Sequence, residues 1–154
     1  MKNLPGSCAI VALSLSALSS ASAQLGRQQG LVEPNVAADT TMLKLPYMTA
    51  AIVDAIKGAR PILSIVTLDS LLTANAVTKP QRDSLYRRMF VHVDLNRGTD
   101  AEILLIPGAG SRMVREFKEY RPWTSAEQFQ REIGKYVRGN PKEVSRLWRY
   151  VVIK

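Results

Sequence analysis

A repeat constrains this chain more than any other feature. Shifting the sequence against itself by 61 positions aligns, without a gap, Val32 with Val93, Asn35 with Asn96, Asp39 with Asp100, Leu43 with Leu104 and Pro46 with Pro107. The match continues through Val53/Val114, Lys57/Lys118, Arg60/Arg121, Pro61/Pro122, Ser64/Ser125, Pro80/Pro141, Ser84/Ser145, Arg88/Arg149 and Val91/Val152. Apolar positions agree as well, as in Ile52/Met113, Ile56/Phe117, Leu68/Phe129 and Leu72/Ile133. Burial and punctuation therefore recur together, which marks a duplicated structural unit. The copies run over 31–91 and 92–154. A unit of ~60 residues buries only about 60% of its unfolded surface. No Gly/Ser linker interrupts Met89-Phe90-Val91-His92-Val93 at the join, so the two copies are expected to pack on each other.

Each copy reads as four short helices. In the second, Thr99-Asp100-Ala101-Glu102 is a capping box that starts a helix carrying Ile103, Leu104 and Ile106. That helix stops at Pro107-Gly108-Ala109-Gly110, after which Met113, Val114, Phe117 and Tyr120 recur at helical spacing. Arg121-Pro122 ends the second helix, and Thr124-Ser125-Ala126-Glu127 caps a third that carries Phe129 and Ile133. Asn140-Pro141 opens the fourth, with Val144, Leu147 and Trp148 on its buried side before an extended Val151-Val152-Ile153. The first copy follows the same plan, with Thr78-Lys79-Pro80-Gln81 as its last cap. Connections this short between helical patterns predict an all-α fold.

The first 23 residues read as a secretory signal peptide: Lys2 supplies the n-region charge, Cys8 to Leu18 the apolar run, and Ala21-Ser22-Ala23 the cleavage site. The run is too short for a membrane span, which takes roughly 20 residues. The expected mature chain is therefore exported, periplasmic or extracellular, with no stable membrane span after cleavage. Residues 24–30, QLGRQQG, are expected to be disordered. One His and one Cys, Cys8, leave nothing from which to build a zinc site, a Cys nucleophile or a disulfide framework. No Ser/His/Asp order or metal-ligand spacing stands out. No catalytic residue, no metal and no cofactor is expected, and the chain does not read as an enzyme. The net charge of +8 and pI of about 9.9 suit a polyanionic partner without specifying one.

The segment Leu105-Ile106-Pro107-Gly108-Ala109-Gly110-Ser111-Arg112-Met113-Val114-Arg115-Glu116-Phe117 resembles the helix-hairpin-helix motif, in which Gly-hydrophobic-Gly joins two short helices. With Val93-Asp94-Leu95-Asn96 ahead and Tyr120-Arg121-Pro122-Trp123 behind, it is similar to the ComEA-type domain of exported competence DNA receptors. The resemblance implies a SAM-like pair of hairpins in each copy. It also implies a glycine loop whose backbone amides meet a phosphate of double-stranded DNA. The chemistry agrees with that role: unsatisfied amides and the positive end of the helix dipole attract an anion, and glycine removes the Cβ that would block close approach. Gly108, Ala109, Gly110, Ser111 and Arg112 are the candidate DNA-binding residues, with Arg115 one turn on and Lys118 beyond it extending a phosphate track.

The first copy has Tyr47-Met48-Thr49 where the second has Gly108-Ala109-Gly110, which places side chains where amides would meet phosphate. The later hairpins are degenerate too, since Val137-Arg138-Gly139-Asn140-Pro141 keeps one glycine and Ala76-Val77-Thr78-Lys79-Pro80 keeps none. Charge follows the intact loop: 31–91 holds seven basic and five acidic residues, net +2, and 92–154 twelve and eight, net +4. Glu116 and Glu119 lie on the same helix as Arg115 and Lys118, which also suits an ordinary solvated face. Tyr120 and Trp123 read as core closure, and His92 as a packed or hydrogen-bonded residue. A second function class stays open: a non-catalytic structural or protein-interaction module of the cell envelope, with an envelope protein as partner and the Tyr47 loop as its contact.

Overall fold

The structure, a computed structural model, describes residues 30–154. The expected signal peptide and nearly all of the polar stretch after it lie outside the described residues. The described chain is mostly helical. In order, α1 is Asp39–Met42, α2 Ala50–Gly58, α3 Ile65–Ala74 and α4 Lys79–Leu85, followed by strand β1, Val93–Asp94. Then come α5 Asp100–Leu104, α6 Ser111–Glu119, α7 Ala126–Tyr136, α8 Pro141–Trp148 and strand β2, Val151–Val152. The two strands pair in parallel, Val93 with Val151 and Asp94 with Val152, and an isolated parallel bridge joins Val32 to Met89. The sequence signalled the extended Val151-Val152 but not its pairing.

Local sequence explains the helix starts. Thr99 and Glu102 form the reciprocal capping box, the Gln81 side chain accepts from the Thr78 amide, and Ser64 and Ser125 each accept an amide three residues on. Asn140 caps α8 by accepting from the Lys142 and Glu143 amides, with Pro141 at the first helical position.

Polar brackets recur at 61 residues. Asn35 donates to the Ile62 carbonyl and accepts from the Ile62 amide; Asn96 does the same with Trp123. An amide side chain carries both a donor and an acceptor, so it pairs with backbone as another strand would. Arg60 donates to the carbonyls of Pro34 and Ala37, and Arg121 to those of Leu95 and Gly98. Each guanidinium therefore ties the end of a helix to the segment that enters the copy.

The ungapped register fails after the start of α7. α3 has 10 residues and α7 has 11, and beyond them corresponding hydrogen bonds lie 62 residues apart. Val77 donates to Leu72 and Gly139 to Gly134; Arg88 donates to Leu85 and Tyr150 to Leu147. Pro80/Pro141, Ser84/Ser145, Arg88/Arg149 and Val91/Val152 are therefore not structural equivalents. Pro141 directly follows its cap, whereas Lys79 stands between Thr78 and Pro80. Proline is accepted at either position in the first turn of a helix, so the coincidence hides the one-residue insertion.

One hydrophobic core runs through both copies. Met42, Ile56, Leu68, Leu72 and Leu85 contribute from the first, and Ile103, Phe117, Phe129, Ile133 and Leu147 from the second, all fully buried. Phe90 joins the copies, meeting Tyr86 edge-on at 5.9 Å and Tyr150 at 4.9 Å between ring centroids. Trp123 is buried as expected, donates to the Phe117 carbonyl at 2.7 Å and packs with Phe129 at 5.5 Å. His92 lies at the junction with Nδ1 3.1 Å from Glu33 Oε2.

Candidate nucleic-acid interface

The loop between α5 and α6 contains Ile106, which is buried and anchors the turn. Gly108 follows at φ 82°, a left-handed conformation that a Cβ disfavours. The Ala109 amide donates to the Ile106 carbonyl at 2.8 Å, closing the turn; of the five consecutive candidates from Gly108 to Arg112, Ala109 thus spends its amide internally. Gly110 is the N-cap of α6 and offers no side-chain oxygen. The first intrahelical bond of α6 is Val114 to the Gly110 carbonyl. The amides of Ser111, Arg112 and Met113 therefore lie at a helix start without a capping side chain, the arrangement that attracts anions.

The same place in the first copy is built differently. Tyr47 takes φ 65° where Gly108 takes 82°, and its side chain is half exposed. Thr49 caps α2 by accepting the Ile52 amide at 3.3 Å. A hydroxyl thus caps the amide of Ile52, whose counterpart in α6, Met113, Gly110 leaves without a side-chain cap.

The charged candidates divide. The Arg112 side chain is 70% exposed, lies 4.0 Å from Glu116, and covers the Tyr136 ring at 4.6 Å. It stands beside the loop, held by a ring and a weak ion pair rather than buried. Arg115 is exposed on the next turn. Lys118 does not extend the track freely, because Nζ pairs with Asp100 at 2.9 Å, as Lys57 pairs with Asp39 at 2.7 Å.

Arg146 on α8 was not singled out from the sequence. It donates through Nη1 to the Pro107 carbonyl, and Nη2 is the group that a Cβ on Gly108 would meet, at 3.2 Å. Glu143 holds the other side of the guanidinium at 2.6 and 2.8 Å. The bond to Arg146 keeps the Glu143 carboxyl below its usual range, and the same bond raises the Arg146 guanidinium. The contact spans 39 residues, so no local pattern announces it. Its one trace in the sequence is that, once the insertion is allowed for, Arg146 faces Ser84 in the first copy.

No helix among the described residues is long and apolar enough to cross a membrane. Searches against protein-family models, curated proteins and solved structures return no match to the chain.

Proposed function

We propose that this chain is an exported, non-enzymatic protein of two tandem helix-hairpin-helix units, 31–91 and 92–154, that holds double-stranded DNA by its phosphate backbone without sequence preference. The observation that carries this reading is the α6 start: three amides with no capping side chain behind a loop with Gly108 at positive φ, with Arg112 exposed beside them. A phosphate oxygen satisfies those amides and gains from the helix dipole. Arg146 supports the reading from behind, since it fixes the loop carbonyl from α8. Amides and guanidinium groups contact phosphate and carry no base information, so affinity follows salt and not sequence. Only one of the two loops offers this arrangement, which predicts weak binding. Gel shifts of the mature protein with two unrelated duplexes at several salt concentrations test it. Equal affinity for both duplexes and loss of binding as salt rises are expected.

A second reading is favoured by a different observation. Val36, Leu43, Tyr47 and Leu63 are exposed apolar side chains in the first copy, with Val36 at 69% and Leu63 at 84%. Three of them replace Arg97, Gly108 and Thr124 of the second copy. Exchange of polar for apolar surface is what a protein-interaction module of the envelope would show. Co-purification from envelope extracts that is lost in Tyr47→Ser and Leu63→Ser, together with absence of DNA binding, is the outcome that selects it.

A further inference from the structure

The end of α7 and the length of α8 form an open cavity of about 640 Å³ lined by Gln130, Gly134, Gly139, Val144, Trp148 and Arg149, among others. The corresponding positions of the first copy are filled by buried side chains. The hydrogen bond that closes α3 runs between Val77 and Leu72, both buried, and its counterpart after α7 runs between Gly139 and Gly134. A Cβ added at either glycine meets nothing within 4 Å. Tyr86, which Trp148 replaces once the insertion is allowed for, is fully buried and fastened to Asp69, which also pairs with Arg82. Two glycines and the loss of that plug open the second copy.

The cavity walls suit a flat ring. Trp148 packs against Phe129 at 5.0 Å and lines the cavity, and Gln130 supplies an amide that can donate and accept. A second hollow of about 430 Å³ adjoins it, sharing Pro141, Ser145 and Arg149 and adding Lys142 and Arg146. Arg149 Nε is buried without a hydrogen-bond partner among the described residues, a donor that an acceptor on a ligand would satisfy. The second hollow meets the candidate DNA loop through Arg146, whose guanidinium is paired with Glu143 and bonded to the Pro107 carbonyl.

We propose that this pair of hollows binds an unpaired nucleotide, with the base against Trp148 and the phosphate on Lys142 and Arg149. An aromatic platform beside a positive groove is how single strands are held, and the volume lies within the usual range of roughly 300–1,000 Å³ for ligand pockets. The proposal rests on the nucleic-acid reading and adds a place for a strand end or overhang beside the duplex.

Tryptophan fluorescence tests it. The chain has two tryptophans, and Trp123 is 1% exposed, so a ligand in the cavity reports through Trp148. At ~50 mM salt, a condition that favours phosphate contacts, thymidine monophosphate or a short oligothymidylate is expected to quench emission, while inorganic phosphate is not. Quenching by the monophosphate alone identifies a free nucleotide as the ligand, and stronger quenching by the oligomer identifies a strand. Gly134→Leu, which fills the cavity from an open helix position, should abolish quenching, and Gly134→Ala should retain it. Arg149→Gln should weaken it about tenfold, the scale of one lost charge-assisted bond. No quenching at millimolar monophosphate, equal quenching by phosphate, or full quenching in Gly134→Leu overturns the proposal. Blunt duplex binding, measured in parallel, is expected to survive Gly134→Leu. If quenching persists while blunt duplex fails to bind wild-type protein, the duplex reading falls and the nucleotide site stands.

Discussion

At the scale of residues, Gly108 and Tyr47 occupy one conformation in two chemistries. A non-glycine residue at left-handed φ costs roughly 1–2 kcal/mol, and Tyr47 bears that cost at φ 65°. Gly108→Ala imposes it on the second copy and also brings a Cβ to 3.2 Å from Arg146. Thermal denaturation should show a loss of about 1–2 kcal/mol, with DNA affinity falling as the Arg146 bond to Pro107 is displaced. The glycine pattern and the resulting turn were legible in the sequence because positive φ has a residue-level signature. Arg146 was not, because nothing local records which carbonyl a long side chain will reach.

At the scale of elements, caps and prolines located α5, α7 and α8, since each cap is a contact within four residues, while the glycine turn and apolar spacing located α6. The insertion in α7 was not legible: a helix absorbs one more residue without altering its cap motifs, and chance identities of Pro, Ser and Arg then masked the slip. Gly134 lies inside that helix in open space. Gly134→Ala should therefore stabilise the protein by about 1 kcal/mol, the difference in helix propensity, as read by the denaturation midpoint. The Glu143–Arg146 pair on α8 carries a pH dependence. Glu143 has a folded pKa below its ordinary value, so the unfolded chain binds the proton more readily. Its stabilisation is present above the unfolded pKa of about 4.3 and is lost as pH falls through the lower folded value. Stability of Glu143→Gln should lie below wild type near neutrality and converge with it in acid; a gap that persists at about pH 2 would contradict this role.

At the scale of the whole molecule, the copies share a core through Phe90, which sits between Tyr86 and Tyr150. Phe90→Ala should cost about 3–5 kcal/mol. Because both tryptophans, Trp123 and Trp148, lie in the second copy, this change in the first copy should lower the midpoint read by tryptophan emission and by helical circular dichroism together. The repeat made this mutual packing legible, because a unit of ~60 residues buries only about 60% of its unfolded surface; the parallel pairing of β1 with β2 was not, because two-residue strands leave no periodic trace. The asymmetry between the copies carries the functional account: the start of α6 has no side-chain cap, and the start of α2 is capped by Thr49. The most direct test is the salt dependence of duplex binding by wild type, Gly110→Val, Arg112→Glu and Thr49→Val. With about two to four phosphate contacts, wild type should give a slope of log K against log salt near −2 to −4. Gly110→Val and Arg112→Glu should weaken binding with helix content intact, and Thr49→Val should leave it unchanged. No measurable binding at ~50 mM salt, or equal loss from both loops, would contradict the account.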